Sequence, residues 1–273
     1  MATKEIWSIL SLGGISIQNW ENLGNEISNW IFDYAKINNI STLVVGVSGG
    51  IDSAVTSTLC AKTGLNTIVV NMPIYQTPSQ LNLSNLHIEW LGKKWNNVEG
   101  HIIDLTEVYD LFNTKLDKIS TSELSLANTR ARLRMTTLYS LAGSKNGIVV
   151  GTGNKVEDFG VGFYTKYGDG GVDISPIADL YKSEVYFLAE SLEIIQPIQD
   201  AAPTDGLWND SRTDEDQIGA TYEELEWAME EVENGFNPEY STRQKEIMDI
   251  YLKMNKNNQH KMKPIPIFKR KLD

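Results

Sequence analysis

The sequence predicts an α/β protein built on a doubly wound parallel sheet flanked by helices, and three observations predict it. Short, almost wholly apolar runs rich in β-branched residues recur in the first half of the chain, as strands covered on both faces require. Stretches of helical periodicity separate these runs, so the order reads as repeated β-α-β units. One strand passes directly into a glycine-rich turn and a helix, at the end of the sheet where such folds keep their ligand crevice.

In chain order, Gln18–Lys36 reads as an amphipathic helix and Thr42–Val47 as the first strand. The helix Asp52–Lys62, the strand Asn66–Asn71, the helix Ser79–Trp95 and the strand Glu99–Asp104 follow. Ser125–Ala142 is helical in its spacing, and Gly147–Gly151 closes the series as a strand. Right-handed crossovers then place helices on both faces of the sheet. Beyond Gly151 the regularity fails. Phe159–Asp173 holds Gly160, Gly162, Gly168, Gly170 and Gly171, which predicts a mobile or close-packing loop and not the interior of an element. Thr221 and Glu224 form a capping box that opens a helix stopping near Gly235. No repeat, low-complexity tract or interdomain linker interrupts the chain. It reads as one domain over 1–273, with its core at about 20–265 and a basic tail at 264–273 that ends in Lys269, Arg270 and Lys271.

Composition narrows the function. The 273 residues include 36 acidic and 24 basic ones, for a formal charge of −12, with 41% apolar and 9% aromatic residues. This is the balance of a globular protein with a sizeable core. It argues against a broad nucleic-acid grip, which needs a basic face. Thirteen acidic residues and one basic, Arg212, lie between Asp200 and Glu239, so that segment alone carries −12 and the remainder balances at 23 against 23. A solvated helix face plus loop is the expectation for it. The lone Cys60, in a helical setting, reads as a buried structural thiol, and three histidines without ligand spacing give no zinc site. No apolar run is long enough to span a membrane and the N-terminus lacks a signal-peptide pattern, so a cytoplasmic protein is expected.

The segment Gly46, Val47, Ser48, Gly49, Gly50, Ile51, Asp52, Ser53 carries the most information. It follows a strand and opens a helix, where free amides and the helix dipole favour a phosphate. The glycines allow close backbone approach, and the serines offer hydroxyl donors. It lacks the Gly-Lys-Ser/Thr ending of a Walker A loop and the Gly-x-Gly-x-x-Gly of dinucleotide folds. It resembles the PP-loop of the ATP pyrophosphatases, which cleave ATP between the α- and β-phosphates. An acid at Asp52 in a phosphate site is electrostatically sensible with a cation between them, and magnesium meets that need; a helix N-terminal carboxylate is the structural alternative.

Further strings resemble the NAD synthetase family over about residues 20–265. Asn128-Thr-Arg-Ala-Arg-Leu-Arg-Met135 is similar to that family's basic helix. Arg132 takes the position of a deamido-NAD contact, and Arg130 and Arg134, four apart on one face, read as solvated or structurally paired. Gly151-Thr-Gly-Asn-Lys-Val-Glu157 resembles the segment in which Thr152 would touch ATP and Glu157 would bind magnesium with Asp52. Phe163–Asp173 looks like the substrate loop, with Lys166 and Asp173 on deamido-NAD. Lys182 and Thr204 match ATP-contacting positions, and His260 with Lys261 matches a late pair on deamido-NAD. Two departures stand out: Gly-Thr-Gly-Asn replaces the Gly-Thr-Asp-His of the ammonia-using form, and one extra residue lies between Glu157 and Lys166.

The resemblance implies the adenine nucleotide alpha hydrolase-like, Rossmann-like fold and a C–N ligase. Its reaction would amidate deamido-NAD to NAD through an acyl-adenylate, with ATP as co-substrate, Mg2+ as cofactor and release of AMP and pyrophosphate. No side-chain nucleophile is required, which agrees with the absence of a Ser/His/Asp or Cys/His arrangement. The stretch before Thr42 is too short for an amidase domain, so free ammonia is the expected nitrogen donor, although a separate amidase subunit is a further route. The resemblance also implies a homodimer without nucleic-acid or membrane partners. Another PP-loop ligase, or a non-catalytic nucleotide-binding module on the same fold, is the alternative.

Overall fold

The computed structural model describes residues 19–116, 119, 121–203, 213–235 and 239–270. Four parallel strands form the sheet: β1 (Thr42–Gly46), β2 (Asn66–Asn71), β3 (Val98–Ile102) and β4 (Gly147–Val149), in the order β3-β2-β1-β4. Their register pairs Val44 with Ile68 on one side and with Val149 on the other. From β1 the chain winds outward through β2 to β3, then crosses back to lay β4 on the far side of β1. The winding reverses between β1 and β4, and a crevice opens at their carboxyl ends as this topology requires.

Ten helices are described, numbered along the chain: α1 (Trp20–Ile37), α2 (Ile51–Lys62), α3 (Pro78–Lys94), α4 (Thr106–Leu116), α5 (Glu123–Ser144), α6 (Lys182–Ser191), α7 (Gln196–Gln199), α8 (Asp214–Ile218), α9 (Tyr222–Asn234) and α10 (Thr242–Met262). Asn19 caps α1 by accepting from the Asn22 amide, and the helix buries Gly24, Ser28, Ile31 and Ala35 along one stripe. Strand side chains alternate between two cores. Leu43 and Val45 join α1, α2 and α6, whereas Val44 joins Leu105, Tyr109 and Ala142 beneath α4 and α5. A third core of Ile218, Leu225, Met229, Ile247 and Tyr251 unites α8, α9 and α10 with a π-helical turn at Val156–Val161.

The expected strands and helices appear within two residues of their sequence limits, with three differences. Helix α4 has no clear apolar stripe to betray it, because it buries only Tyr109 and leaves Val108, Leu111 and Phe112 exposed. Ahead of the basic tail, a Ser241–Gln244 capping box opens the additional helix α10, which buries Ile247, Met248 and Tyr251. The loop expected from Phe159 begins inside the π-helical turn. Among the described residues no helix is long and apolar enough to cross a membrane, and Cys60 is fully buried with its thiol pushed up by that burial.

Behind the crevice, α2 and α3 are joined by a buried Ser57–His87 hydrogen bond of 2.9 Å. Burial holds the His87 imidazole down to about 4, so it is neutral in the native protein. The unfolded chain takes up a proton near pH 6.5 that the native chain refuses, so stability is lost as pH falls from about 6.5 towards 4. The two-and-a-half-unit window corresponds to about 3 kcal/mol at most. Urea midpoints at pH 7 and pH 4.5 should therefore separate less in His87→Gln than in the parent protein; equal separations would contradict this assignment.

Candidate active site

The crevice encloses about 270 Å³ and is lined from β1, β2, β4, α5, the 163–172 loop and α8. Its floor is the Gly46–Ser53 turn. Gly49 has φ +86°, and a Cβ there would lie 3.0 Å from Gln80 O and Ser84 Oγ, so only glycine fits. Gly50 caps α2 without a side-chain bond, which leaves the first amides of a buried helix for an anion. Ser48 and Ser53 bond to one another (Oγ to Oγ, 3.1 Å), and Ser53 Oγ donates to Gly50 O at 2.9 Å. The hydroxyls therefore shape the turn in this state.

Asp52 leaves the first turn of α2 and meets two partners. Its Oδ1 accepts from Asn154 Nδ2 at 3.2 Å, and its Oδ2 accepts from Lys182 Nζ at 2.5 Å. Lys182, first residue of α6 and 3% exposed, also donates to Glu157 Oε1 at 3.2 Å. Burial opposes an ammonium, but Asp52 and Glu157 more than offset it and hold the Lys182 pKa above that of an ordinary lysine. Burial pushes the Asp52 carboxyl up, with Lys182 pulling against it, and the contact distance fits an ionised pair. Asn154 ties both acids together, since its Oδ1 accepts from the Glu157 amide at 3.1 Å. Asn154 is thus a bridge inside the site.

These residues fit a magnesium ion. Asp52 and Glu157 already share one cation, and their donors are all oxygen. Among the described residues no cluster of three His, Cys, Asp or Glu side chains forms a metal cage, so the rest of the shell would be water and phosphate. Tyr222 OH donates to Glu157 Oε1 at 2.6 Å. Burial, Glu157, Asp169 and Asp52 push the neighbouring Asp158 up to about 8.

The structure sorts the remaining sequence-predicted residues into separate places. Thr152 lines the crevice, and Thr204 lies outside the described residues. Arg132, Lys166, His260 and Lys261 gather beside the crevice and clamp the glycine loop. The Arg132 guanidinium donates to Lys166 O from two nitrogens at 3.3 Å, and Lys166 Nζ donates to His260 O. Lys261 Nζ donates to Gly162 O at 2.8 Å and to Tyr164 O at 2.7 Å. Asp173 sits apart, accepting from the Val149 amide at 2.7 Å and from Tyr139 OH at 3.1 Å.

Several lining residues escape sequence reasoning. Gln76 and Gln80 follow β2 with no motif to mark them. Arg134 lines the crevice with Nε on Met72 O at 2.9 Å, whereas Arg130 is buried with its guanidinium 5.1 Å from the Tyr109 ring. Of the two readings open for them, solvated or structurally paired, both arginines take the second. The acidic segment is likewise only partly a solvated face: Glu230 and Glu233 are exposed, but Asp214 is buried and lines the crevice. Glu226 accepts from the amide and hydroxyl of Ser183 at 2.9 and 2.7 Å, and so caps the helix that carries Lys182. The charge count hid this because it averages the two faces of a helix.

A parallel sheet with a glycine-rich strand-to-helix turn at its winding reversal defines the class, a Rossmann-like α/β protein of the adenine nucleotide alpha hydrolase type. The NAD synthase family pattern matches residues 23–265, and the chain belongs to that family. It is 35% identical over 252 residues to the NH(3)-dependent NAD(+) synthetase of Carboxydothermus hydrogenoformans, covering 91% of this chain and 97% of that protein. The NMN synthetase of Francisella tularensis superposes with a TM-score of 0.81 at 32% identity, covering 92% of this chain and 98% of that one. The NH3-dependent NAD synthetase of Campylobacter jejuni superposes with a TM-score of 0.74 at 26% identity, covering 92% and 100%.

Proposed function

We propose that the chain is a C–N ligase that amidates deamido-NAD to NAD with ATP and ammonia, releasing AMP and pyrophosphate. The observation that carries this reading is the Lys182 ammonium held between Asp52 and Glu157 at the mouth of the Gly46–Ser53 turn. The family, and relatives named NH(3)-dependent NAD(+) synthetase, supply the substrates.

In the first half-reaction the nicotinate carboxylate attacks the α-phosphorus of ATP. The phosphates rest on the amides of the Gly46–Ser53 turn, and Thr152 and Lys182 meet their oxygens. Bound magnesium would supply charge compensation for the pyrophosphate leaving group from its place on Asp52 and Glu157. Lys182 turns from the carboxylates to the phosphates and carries positive charge to where negative charge develops. In the second half-reaction ammonia attacks the acyl carbonyl of the adenylate and AMP departs. The loop beside the crevice excludes water from the adenylate, held by Lys261 and Lys166. Arg132, Lys166, Asp173, His260 and Lys261 bind the acceptor, and Thr204 joins the ATP contacts. A single domain, a homodimer and a cytoplasmic setting complete this reading.

One observation favours a second acceptor. The fit to an NMN synthetase at a TM-score of 0.81 points to the nicotinate mononucleotide, which presents the same carboxylate without the adenylyl half. Initial rates with ATP, Mg2+, ammonium and either acceptor decide between them. A larger kcat/KM on deamido-NAD is the expected result. A larger value on the mononucleotide selects the second acceptor, and amide formation with neither overturns both readings.

A further inference from the structure

The segment with the excess charge reaches Glu157, on the wall of the crevice, through Tyr222, the first residue of α9. Tyr222 is 5% exposed and packs in the core of α8, α9 and α10. Its hydroxyl, however, is aimed outward at the site. It donates to Glu157 Oε1 at 2.6 Å and lies 3.4 Å from Asp214 Oδ2. Its ring faces Lys182, whose ammonium is 4.7 Å from the centroid. A phenol has one proton to give, and the shorter contact assigns it to Glu157.

We propose that Tyr222 is a positioning residue, whose hydroxyl aims the Glu157 carboxylate and whose ring holds the Lys182 ammonium. The proposal rests on the phosphate-and-metal part of the function proposed above, and not on the identity of the acceptor. Among the described residues, Glu157 Oε1 takes both Lys182 and Tyr222 while Oε2 takes no hydrogen bond. Lys182 must let go of Glu157 to meet a phosphate, and Tyr222 then remains to fix the carboxylate. A carboxylate whose outer oxygen is held by a donor presents its other oxygen to a cation in one orientation. The ring acts on the second partner, since an ammonium over an aromatic face is held without a counter-charge that would compete with phosphate. Glu226, through Ser183, anchors the same helix one residue further on. The acidic segment thereby gains a role: its inner face orders the two side chains that handle phosphate charge.

The test uses Mn2+ with a non-hydrolysable ATP analogue, read by electron paramagnetic resonance without any acceptor, on the parent protein, Tyr222→Phe, Glu157→Gln and the double variant. Tyr222→Phe keeps the ring and the core, so its melting should stay close to the parent's. Its Mn2+ affinity should fall roughly 10-fold or more, the usual cost of losing a carboxylate's outer partner. In the Glu157→Gln background the same change should add little, because the hydroxyl acts through Glu157. Tyr222→Leu, which also removes the ring, should weaken the analogue in the absence of metal. Parent-like Mn2+ affinity in Tyr222→Phe, or an equal loss in the Glu157→Gln background, overturns the proposal alone. Failure of the parent protein to bind Mn2+ with the analogue overturns the metal reading and the proposal with it.

Discussion

Replacing Lys182 with methionine should abolish turnover, with a loss of about 1000-fold in kcat, and should also destabilise the protein. The ammonium is the only described cation in contact with Asp52 and Glu157. Without it, phosphate charge developing on the Gly46–Ser53 turn lacks its compensating partner, and one such group commonly accounts for 100- to 1000-fold or about 3 kcal/mol. Stability falls for a separate reason. Removing one member of a buried ionic group leaves charge without compensation, at a cost of about 3–5 kcal/mol. The Asp52 carboxyl, which burial already pushes up, escapes part of that cost by taking up a proton. Without Lys182 pulling against burial its pKa rises further above the unfolded value, so the variant is most stable at low pH and loses stability as pH rises through the folded value. Urea unfolding at pH 5.5 and pH 7.5 checks this: Lys182→Met should lose more stability than the parent over that interval. Wild-type turnover in the variant would remove Lys182 from the chemistry.

Asp52→Asn is the second large effect, and it separates charge from shape. Asparagine is nearly the same size and its amide oxygen still accepts from Lys182, so the fold is retained and melting should stay close to the parent's. The lost negative charge weakens the metal site by several kcal/mol, or about 100- to 1000-fold in kcat. Added Mg2+ should restore part of the activity, because a weakened site fills at higher concentration. A variant with parent-like activity at low Mg2+ would show that Asp52 is a structural first-turn carboxylate of α2.

The most legible elements are those whose burial is nearly complete, β1 and β2; the edge strand β3 is legible as well, although Glu99, Gly100 and Ile102 are exposed. The strands Thr42–Gly46 and Asn66–Asn71 are apolar because helices cover both faces, and the Gly46–Ser53 turn is visible because glycine alone fits at Gly49. Helix α4 and the inner side of α9 were hidden for the opposite reason. Tyr109 is the only residue of α4 that is buried, and the acids of α9 sit on two faces with different surroundings. Position along the chain also concealed the site's most connected cluster, since Asp52, Asn154, Lys182 and Tyr222 are brought together only by the sheet's winding. Motif resemblance found three of these four segments. It passed over Tyr222, which sat in a capping box whose purpose already appeared complete.

The proposed reaction cleaves ATP between the α- and β-phosphates on behalf of a carboxylate acceptor. Phosphorus NMR of a reaction containing ATP, Mg2+, ammonium and deamido-NAD tests it most directly. The expected spectrum shows AMP and pyrophosphate in equal amounts, appearing only with the acceptor and matched by the amide formed. ADP and inorganic phosphate, or nucleotide cleavage independent of the acceptor, would contradict it.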